Sequence, residues 1–369
     1  MKQSEGYFME RKDLILEHYD QNGFFSYRIP GVVVTAKGTV LAYYETRTNH
    51  GDDWSCRGVG MRRSTNGGLS FEPRVMLVEA GELPVNNPVM IASRDGRVHF
   101  LWQENYRDAF YQVSEDDGLS FSEPVCITKT FEALRSQLNW SLYALGPGHG
   151  IELRNGRLVI PVWIAVGKEN DHHPTHISTI VSDDVGNTWH AGEVVFGSVD
   201  RSDAFSWPNE TTAVELSDGS VMLNIRHMGT DYVRYISISG NGQDGFTAPR
   251  PDRQLPDAIC FGSLVKANRD QDILFVNCTN REDAPTEGFL TGCAQRRNLT
   301  LHLSHDDAKT WDCRREIAYI GGYADLAVSP DGNTIYCFYE HERIPNSGDP
   351  GELVLTVLER SWLTDEEHT

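Results

Sequence analysis

The chain has 369 residues, and its 33 Lys and Arg against 53 Asp and Glu give it a formal charge of −20. A surface this acidic repels polyanions, which argues against nucleic acid or an anionic membrane as the main partner. Hydrophobic residues make up 39% of the chain, enough for a sizeable core in one large domain or in two or three small ones.

Seven cysteines, an odd number, occur without CxxC or Cys/His zinc spacing, which predicts buried free thiols in a reducing compartment. The first twenty residues lack the apolar run of a signal peptide. No stretch approaches the roughly 18 apolar residues of a membrane helix. We therefore expect a cytoplasmic protein, or a secreted or periplasmic one if a signal has been removed.

Short β-rich runs separated by tight turn signals follow one another along the chain. The runs are, in chain order, GVVVTA (31–36), TVLAYYET (39–46), RVHFLWQE (97–104), RLVIPVWIAV (157–166), SVMLNIRH (220–227), DILFVNC (272–278), NLTLHLS (298–304), TIYCFYE (334–340) and ELVLTVLE (352–359). The turns between them include AKG, RDGR, RNGR, SDGS and PDGN. Such a chain is hairpin-rich and all-β. It must hide many sheet edges, so the candidate folds are sandwiches, barrels and propellers.

An eight-residue repeat decides between these folds. The segments STNGGLSF, SEDDGLSF, SDDVGNTW and SHDDAKTW begin at Ser64, Ser114, Ser182 and Ser304. The starts are 50, 68 and 122 residues apart, and 122 is about two steps of 61. In each segment an Asp or Asn can bond the turn amides and an aromatic residue can pack inward, and in all but the last, which has Ala, a Gly permits a positive φ. A period of roughly 60 residues predicts a six-bladed β-propeller that occupies residues 1–369 as a single domain.

Arg28 lies inside the strand-like segment FFSYRIPGVVV (24–34). An unpaired buried guanidinium is costly because it loses its hydration. Arg28 therefore has either a carboxylate partner within the protein or one on a ligand.

The four repeats, YRIP at 27–30, Glu210 sixteen residues before Arg226, and QRRNLT at 295–300 occur in the order typical of one family. With these motifs the chain resembles the exo-α-sialidase family, of the non-viral type with a YRIP motif and Asp boxes, over about residues 22–342. Two boxes depart from the family pattern, with Asn66 in place of Asp and Ala308 in place of Gly. The resemblance implies a six-bladed propeller and a retaining exo-glycoside hydrolase that releases terminal α-linked sialic acid.

The resemblance also implies a clamp of three arginines on the substrate carboxylate. The matching positions are Arg28, Arg226 and Arg296, and the Arg-x-Asn spacing favours Arg296 over Arg297. Adjacent strand residues face opposite ways, so only one of these two can point into a pocket. Planar guanidinium groups suit a carboxylate because they donate two parallel hydrogen bonds. On this view the substrate pairs with Arg28.

The catalytic residues are implied by the same resemblance. Tyr323, which follows Gly-Gly after the last box, matches the tyrosine nucleophile, and Glu210 matches its base. Asp53 matches the acid/base on a first-blade loop; it is favoured over Asp52 by its following Trp. Arg47 matches the arginine that contacts the sugar's 4-hydroxyl. An acid at position 53 would need a raised pKa, which a closing loop would supply by removing water.

Histidines give no clear functional signal in the sequence. His149 in GPGHG (146–150) either lines the pocket or belongs to a tight turn. Asp171, His172, His173 and His176 lie in a polar loop, where a metal site is not favoured, so we expect neither metal nor cofactor.

Two other functions stay open. One is a hydrolase of a related 2-keto-3-deoxy sugar acid (Kdn or Kdo), and the other is a non-catalytic sugar-binding propeller. The expected partners are sialylated glycans or free sialyl-oligosaccharides, with no nucleic acid and no membrane. The sequence does not decide linkage preference, the natural glycan or the oligomeric state.

Overall fold

The computed structural model describes residues 10–49, 52–267, 271–280, 296–345, 347 and 349–364. Within these residues the strands of the first half are β1 (Arg11–His18), β2 (Ser26–Val34), β3 (Val40–Arg47), β4 (Cys56–Ser64), β5 (Val75–Glu79), β6 (Val85–Ala92), β7 (Val98–Glu104), β8 (Asp108–Ser114), β9 (Val125–Cys126), β10 (Leu142–Leu145), β11 (Ile151–Glu152), β12 (Leu158–Ala165), β13 (Thr175–Ser182) and β14 (His190–Ala191). Those of the second half are β15 (Thr211–Glu215), β16 (Val221–Ile225), β17 (Val233–Ser239), β18 (Arg250–Pro256), β19 (Ser263–Lys266), β20 (Ile273–Cys278), β21 (Arg297–Ser304), β22 (Cys313–Ile320), β23 (Ala324–Val328), β24 (Thr334–His341) and β25 (Glu352–Glu359).

Helical structure in the described residues is limited to single turns. These are α1 (Lys129–Glu132), α2 (Ser361–Thr364) and the 3₁₀ turns Asp53–Ser55 and Ala133–Ser136. In the same ranges, no helix has the length and apolar character needed to cross a membrane.

In the described part of the chain the strands form six antiparallel sheets, which are the blades of a β-propeller. Five blades use strands that are close in sequence: β2 to β5, β6 to β9, β10 to β14, β15 to β18 and β19 to β22. In the sixth blade β23, β24 and β25 are joined by β1, which pairs antiparallel with β25 along the outer edge. The first strand therefore closes the ring onto the last blade. The predicted six-bladed, all-β fold is confirmed.

Burial follows the position of a strand within its blade. Strand β12 is buried at all eight positions, because both of its faces pack against neighbouring blades, and its sequence is a nearly continuous apolar run. Strand β22 lies at an outer edge and largely alternates between buried or half-buried and exposed residues. Apolar clusters fill the spaces between adjacent blades, so the core is distributed around the ring.

The four boxes lie at equivalent turns. Each connects the third strand of a blade to the fourth, namely β4 to β5, β8 to β9, β13 to β14 and β21 to β22. In the third box Ser182 Oγ donates to Asp184 at 2.9 Å, and Asp184 accepts the Thr188 amide at 2.8 Å. The aromatic residues Trp189 and Trp311 are buried, as predicted.

The free thiols depart from the prediction that all are buried. The six cysteines in the described residues are free, and Cys56, Cys260, Cys278 and Cys337 are buried. Cys126 is exposed and Cys313 is half-buried, because β9 and β22 are outer strands. Cys293 lies outside the described residues.

Candidate active site

The predicted site residues lie at strand ends on one face of the propeller. Because neighbouring strands are antiparallel, the first and third strands of a blade begin at the face where the second strand ends. Glu210 and Tyr323 immediately precede the innermost strands β15 and β23, whereas Arg226 follows β16. Arg296 precedes β21, and Asp53 lies in the connection from β3 to β4. The fold thus brings residues from five connections to one place.

Tyr323, Glu210 and Arg226 form one buried hydrogen-bonded group. The Tyr323 hydroxyl donates to Glu210 Oε1, and Arg226 Nη1 donates to Glu210 Oε2. Arg226 Nη1 also lies 3.2 Å from the Tyr323 hydroxyl oxygen. Burial and the Glu210 charge raise the pKa of Tyr323 well above its usual value, although Arg226 and Arg296 lower it. The phenol is therefore protonated at neutral pH, and the carboxylate that can take its proton is already hydrogen-bonded to it.

Three guanidinium groups surround the Tyr323 ring. Their central carbons lie 5.5 Å (Arg28), 5.9 Å (Arg226) and 4.9 Å (Arg296) from the ring centroid. Arg296 is buried, whereas Arg297 extends the other way and lies 3.5 Å from the Tyr319 hydroxyl in an exposed contact. The three arginines that the sequence selected thus lie together.

Arg28 has an internal partner that the sequence analysis did not anticipate. Its Nε donates to Glu340 Oε1 at 2.6 Å, and Asp349 lies 3.9 Å from its Nη1. Arg28 therefore already has a carboxylate partner within the protein, the other of the two alternatives that its position allowed. Glu340 Oε2 also accepts the Tyr323 amide at 3.1 Å. Burial raises the pKa of Glu340, but Arg28 lowers it below its usual value. One buried carboxylate thus fixes both an arginine and the tyrosine backbone.

The Arg-Ile-Pro tripeptide forms a β-bulge. Arg28 pairs with Glu45 and Gly31 with Tyr43, so β2 has one more residue than β3 between these pairs. Ile29 takes a φ of 56°, which is unusual for a β-branched residue, and Pro30 donates no ladder hydrogen bond. A Cβ at Gly31 would lie 2.2 Å from the Tyr43 ring, so only glycine fits. Bulges of this kind redirect side chains beside functional sites.

Asp53 begins a 3₁₀ turn whose Trp54 amide is capped by Asp52 Oδ1 at 2.8 Å. Asp53 Oδ1 accepts from Arg47 Nη1 at 2.8 Å, and the other side of Arg47 is held by Glu45 Oε2 at 2.7 Å and 3.0 Å. Arg47 is almost fully buried, whereas the Asp53 side chain is 47% exposed. Its exposed side is open to a ligand.

The expectation of a raised pKa for Asp53 is wrong in this structure. Desolvation raises the pKa of Asp53, but Arg47, His172 and Arg28 together lower it to about 2. The physical reason is mainly Arg47, whose guanidinium donates directly to the Asp53 carboxylate and favours its charged form. Without a ligand, Asp53 is a carboxylate at neutral pH.

His172 lies at the candidate site, which the sequence did not predict. His172 lies beside Asp53, with its Nδ1 3.7 Å from Asp53 Oδ2. In the sequence His172 is a candidate only for a metal site, which is not favoured there. The described residues contain no group of three or more His, Cys, Asp or Glu suited to a metal ion. The sequence signal for His172 as a site residue is the pair of adjacent histidines, His172 and His173, in the loop between β12 and β13.

His149 is used in a buried network away from the Tyr323 hydroxyl. Its Nδ1 lies 2.8 Å from Asp325 Oδ1, which also accepts from Ser263 Oγ at 2.6 Å. Burial lowers the pKa of His149, but Asp325 raises it above its usual value. His149 also borders a cavity of about 650 Å³ whose lining includes the far ends of β15, β19 and β23. His149 therefore contacts Asp325 and the cavity at the opposite end of the propeller, and it is not part of the group around Tyr323.

Comparison with known proteins assigns the family. The profile described as BNR repeat-like domain matches residues 38–336. Sialidase-3 of Mus musculus is 30% identical over 388 residues, which cover 88% of this chain and 90% of that protein. The chain belongs to the exo-α-sialidase family of glycoside hydrolases. The exo-alpha-sialidase of Aspergillus fumigatus is 27% identical, with 84% of this chain and 77% of that protein covered.

Other members of the exo-α-sialidase family are longer than this chain. The sialidase of Micromonospora viridifaciens is 27% identical over 85% of this chain, which spans only 49% of that protein. Among solved structures, Hadza microbial sialidase Hz136 matches with a TM-score of 0.75 at 22% identity, covering 95% of this chain and 69% of the other. Trypanosoma rangeli sialidase matches with a TM-score of 0.68 at 17% identity, covering 94% and 59%. At these identities the structures support the fold alone.

Proposed function

We propose that this protein is a retaining exo-α-sialidase that releases terminal α-linked sialic acid from glycans. The observation that carries the proposal is the group around Tyr323, in which one hydroxyl contacts Glu210 and three guanidinium groups surround the ring. Membership of the exo-α-sialidase family supports it independently.

The arginines would hold the substrate carboxylate. A cluster of Arg28, Arg226 and Arg296 is electrostatically unfavourable by itself, and an anionic ligand relieves this repulsion. Each hydrogen bond from a guanidinium to a carboxylate contributes on the order of 1.5 to 3 kcal/mol. Glu340 and Glu210 hold two of these side chains in place before the ligand arrives. The carboxylate-bearing carbon of the sugar would then lie above Tyr323.

A tyrosine nucleophile suits this substrate. The anomeric carbon of a sialic acid bears a carboxylate, which would repel an anionic nucleophile, whereas a neutral phenol approaches without that penalty. As the Tyr323 oxygen bonds to the anomeric carbon, its proton passes to Glu210 and the glycosidic C–O bond breaks. The leaving oxygen takes a proton from Asp53. Water then attacks the anomeric carbon with Asp53 as the base, the bond to Tyr323 breaks and Glu210 returns the proton to the Tyr323 oxygen, so two inversions give net retention.

Substrate binding would itself convert Asp53 into an acid. The bound carboxylate would offset Arg28, one of the groups that lower the pKa of Asp53 to about 2 in the unliganded site. The sugar would also cover the exposed side of Asp53, and loss of water disfavours its charged form. Both effects raise the pKa of Asp53 at the moment when its proton is required.

The side chain at position 5 of the sugar is the open point of specificity. Trypanosoma rangeli sialidase has been solved with 2,3-difluoro-KDN and with sialic acid, so one sialidase accommodates both sugar acids. We propose terminal sialic acid as the substrate class and keep Kdn as the alternative.

The direct test is release of 4-methylumbelliferone from its Neu5Ac and Kdn glycosides, measured side by side. We expect turnover of at least one of them, and the ratio of the two kcat/KM values assigns the preferred sugar. Absence of turnover with both, together with tight binding of an unsaturated sialic acid analogue, would favour the non-catalytic sugar-binding propeller.

A paired substitution tests the clamp. Arg296→Ala should weaken binding of an unsaturated sialic acid analogue by at least about tenfold, since one charge-assisted contact is lost. Arg297→Ala is the matched control, because the adjacent guanidinium lies against Tyr319 on the other side of the strand. Equal effects of the two substitutions, measured by calorimetry, would contradict the clamp.

A further inference from the structure

His172 and Arg47 approach opposite oxygens of one carboxylate. Arg47 Nη1 donates to Asp53 Oδ1 at 2.8 Å, whereas His172 Nδ1 lies 3.7 Å from Asp53 Oδ2. Glu45 holds Arg47 in place, so Asp53 Oδ1 already has a fixed hydrogen-bond donor. The exposed carboxylate can still turn about its remaining bonds, and His172 is positioned to limit that movement.

Three aromatic rings hold the imidazole of His172. The ring centroids of Tyr106, Trp163 and Trp54 lie 4.8, 5.5 and 5.7 Å from that of His172. Trp54 directly follows Asp53 and packs against Tyr106 at 5.0 Å. The same cluster therefore fixes both the histidine and the turn that carries the carboxylate.

Burial decides the protonation state of His172. Its Nε2 is buried and has no hydrogen-bond partner within the described ranges. A proton on Nε2 would leave a buried donor without an acceptor, which is costly. The charged groups that act on His172 are Asp53, Glu210, Arg47 and Asp171, and burial lowers its pKa despite the three carboxylates. The neutral imidazole with its proton on Nδ1 is therefore favoured, and that proton is directed toward Asp53.

We infer that His172 is a positioning residue for Asp53, presenting its Nδ1–H to Oδ2 and so holding the carboxylate in the orientation that meets the leaving-group oxygen. This inference rests on the proposed function, in which Asp53 is the acid/base. A separation of 3.7 Å is longer than a hydrogen bond, so a small turn of Asp53 is enough to form one.

Loss of His172 should therefore act through the protonation step. Departure of a sugar needs a proton, whereas departure of 4-methylumbelliferone hardly does. His172→Phe keeps a ring among the aromatic residues but removes the donor. We expect at least about a tenfold fall in kcat/KM on a natural sialyl-galactoside and less than about threefold on the aryl glycoside. His172→Asn restores an N–H near the Nδ1 position and should recover most of the loss.

A double-mutant cycle separates positioning from general structural damage. In an Asp53→Ala background, His172→Phe should change kcat/KM by less than about twofold, because the residue through which it acts is gone. His176→Phe is the matched control, since His176 packs against Phe196 at 4.9 Å and receives the Gly197 amide rather than facing Asp53. We expect this control to affect both substrates equally.

Each outcome has one meaning. Equal losses on the two substrates, or full additivity with Asp53→Ala, would overturn the positioning role of His172. A wild-type-like His172→Phe enzyme would do the same and leave the proposed function intact. If the wild-type chain turns over neither substrate, the proposed function fails and the role of His172 fails with it.

Discussion

The box turns and the group around Tyr323 are built in opposite ways. In a box, a serine or threonine bonds an aspartate two to four residues away, as Ser182 and Thr188 bond Asp184. Around Tyr323 the partners are far apart in sequence, since Tyr323 and Glu210 are separated by 113 residues and Arg28 and Glu340 by 312. The turns can therefore form from local sequence, whereas the site exists only when the ring of blades is complete.

Two carboxyl groups show what this difference does to chemistry. The pKa of Asp116 in the second box is about 2 because the Ser120 hydroxyl and amide bond its carboxylate. The pKa of Asp53 is also about 2, but there Arg47, His172 and Arg28 together outweigh desolvation. A ligand carboxylate bound by Arg28 would offset part of this effect, whereas the bonds to Asp116 come from Ser120 within the same turn. The same pKa is thus fixed in one region and adjustable in the other.

The largest expected effect is on the nonlocal group. Tyr323→Phe removes the proposed nucleophile and should lower kcat by at least about 1000-fold. An unsaturated sialic acid analogue should still bind within about threefold, because the arginines remain. Tyr319→Phe is the matched control, since Tyr319 is exposed. Retention of activity by Tyr323→Phe would remove this residue from the chemistry.

Stability should also distinguish the two regions. Glu340→Gln removes the closer of the two carboxylates beside the Arg28 guanidinium, and breaking such a buried pair costs about 3 to 5 kcal/mol of unfolding free energy. Asp184→Ala removes the exposed and part-buried hydrogen bonds within one box and should cost about 1 kcal/mol. Urea unfolding measures both. Similar losses of unfolding free energy in the two variants would show that the Arg28–Glu340 pair stabilises the protein no more than the hydrogen bonds of a box turn do.

Acid should weaken the core beneath the third box. Burial lowers the pKa of His99 to about 4, and the position of a Cβ on Gly186 in that box lies 3.0 Å from its Nδ1. Below pH about 6.5 the unfolded chain binds a proton that native His99 does not, so the unfolding free energy falls as the pH drops. We expect a loss of roughly 3 kcal/mol from this group between pH 6.5 and 4. His99→Gln should make the pH dependence shallower; an unchanged slope would contradict the assignment.

The smallest expected effect concerns backbone strain at Val185 in the third box. Val185 has a φ of 60°, a conformation that a β-branched residue rarely adopts, whereas Asp117 has a φ of 67° at the equivalent position. Val185→Asn should raise the unfolding free energy by about 1 kcal/mol. Leu119→Asn, an exposed box position without a positive φ, should change it little. A loss of stability in Val185→Asn would mean that packing outweighs backbone strain at this turn.

The sequence predicted what depends on local pattern. Alternation along a strand and the Arg-x-Asn spacing selected Arg296, and the structure directs Arg297 outward. Box spacing predicted the number of blades. These features depend on residues a few positions apart, so a single sequence contains the necessary information.

The missed features depend on ring closure. Nothing near Arg28 in the sequence indicates Glu340, since β2 and β24 meet only when the last blade packs against the first. His172 reaches Asp53 from a different blade, and its role needs the aromatic cluster to be seen. The expected raised pKa of Asp53 was wrong because the pKa depends on the packed positions of Arg47, Arg28 and His172, the last of which comes from another blade.

The most direct test of the proposed chemistry is covalent trapping. A 3-fluorosialyl fluoride should slow turnover of the glycosyl–enzyme intermediate and leave an adduct that peptide mapping by mass spectrometry locates on the peptide containing Tyr323. Tyr323→Phe should bind the reagent without becoming labelled. An adduct on another residue, or a β-anomer as the first product seen by NMR, would contradict Tyr323 as the nucleophile of a retaining sialidase.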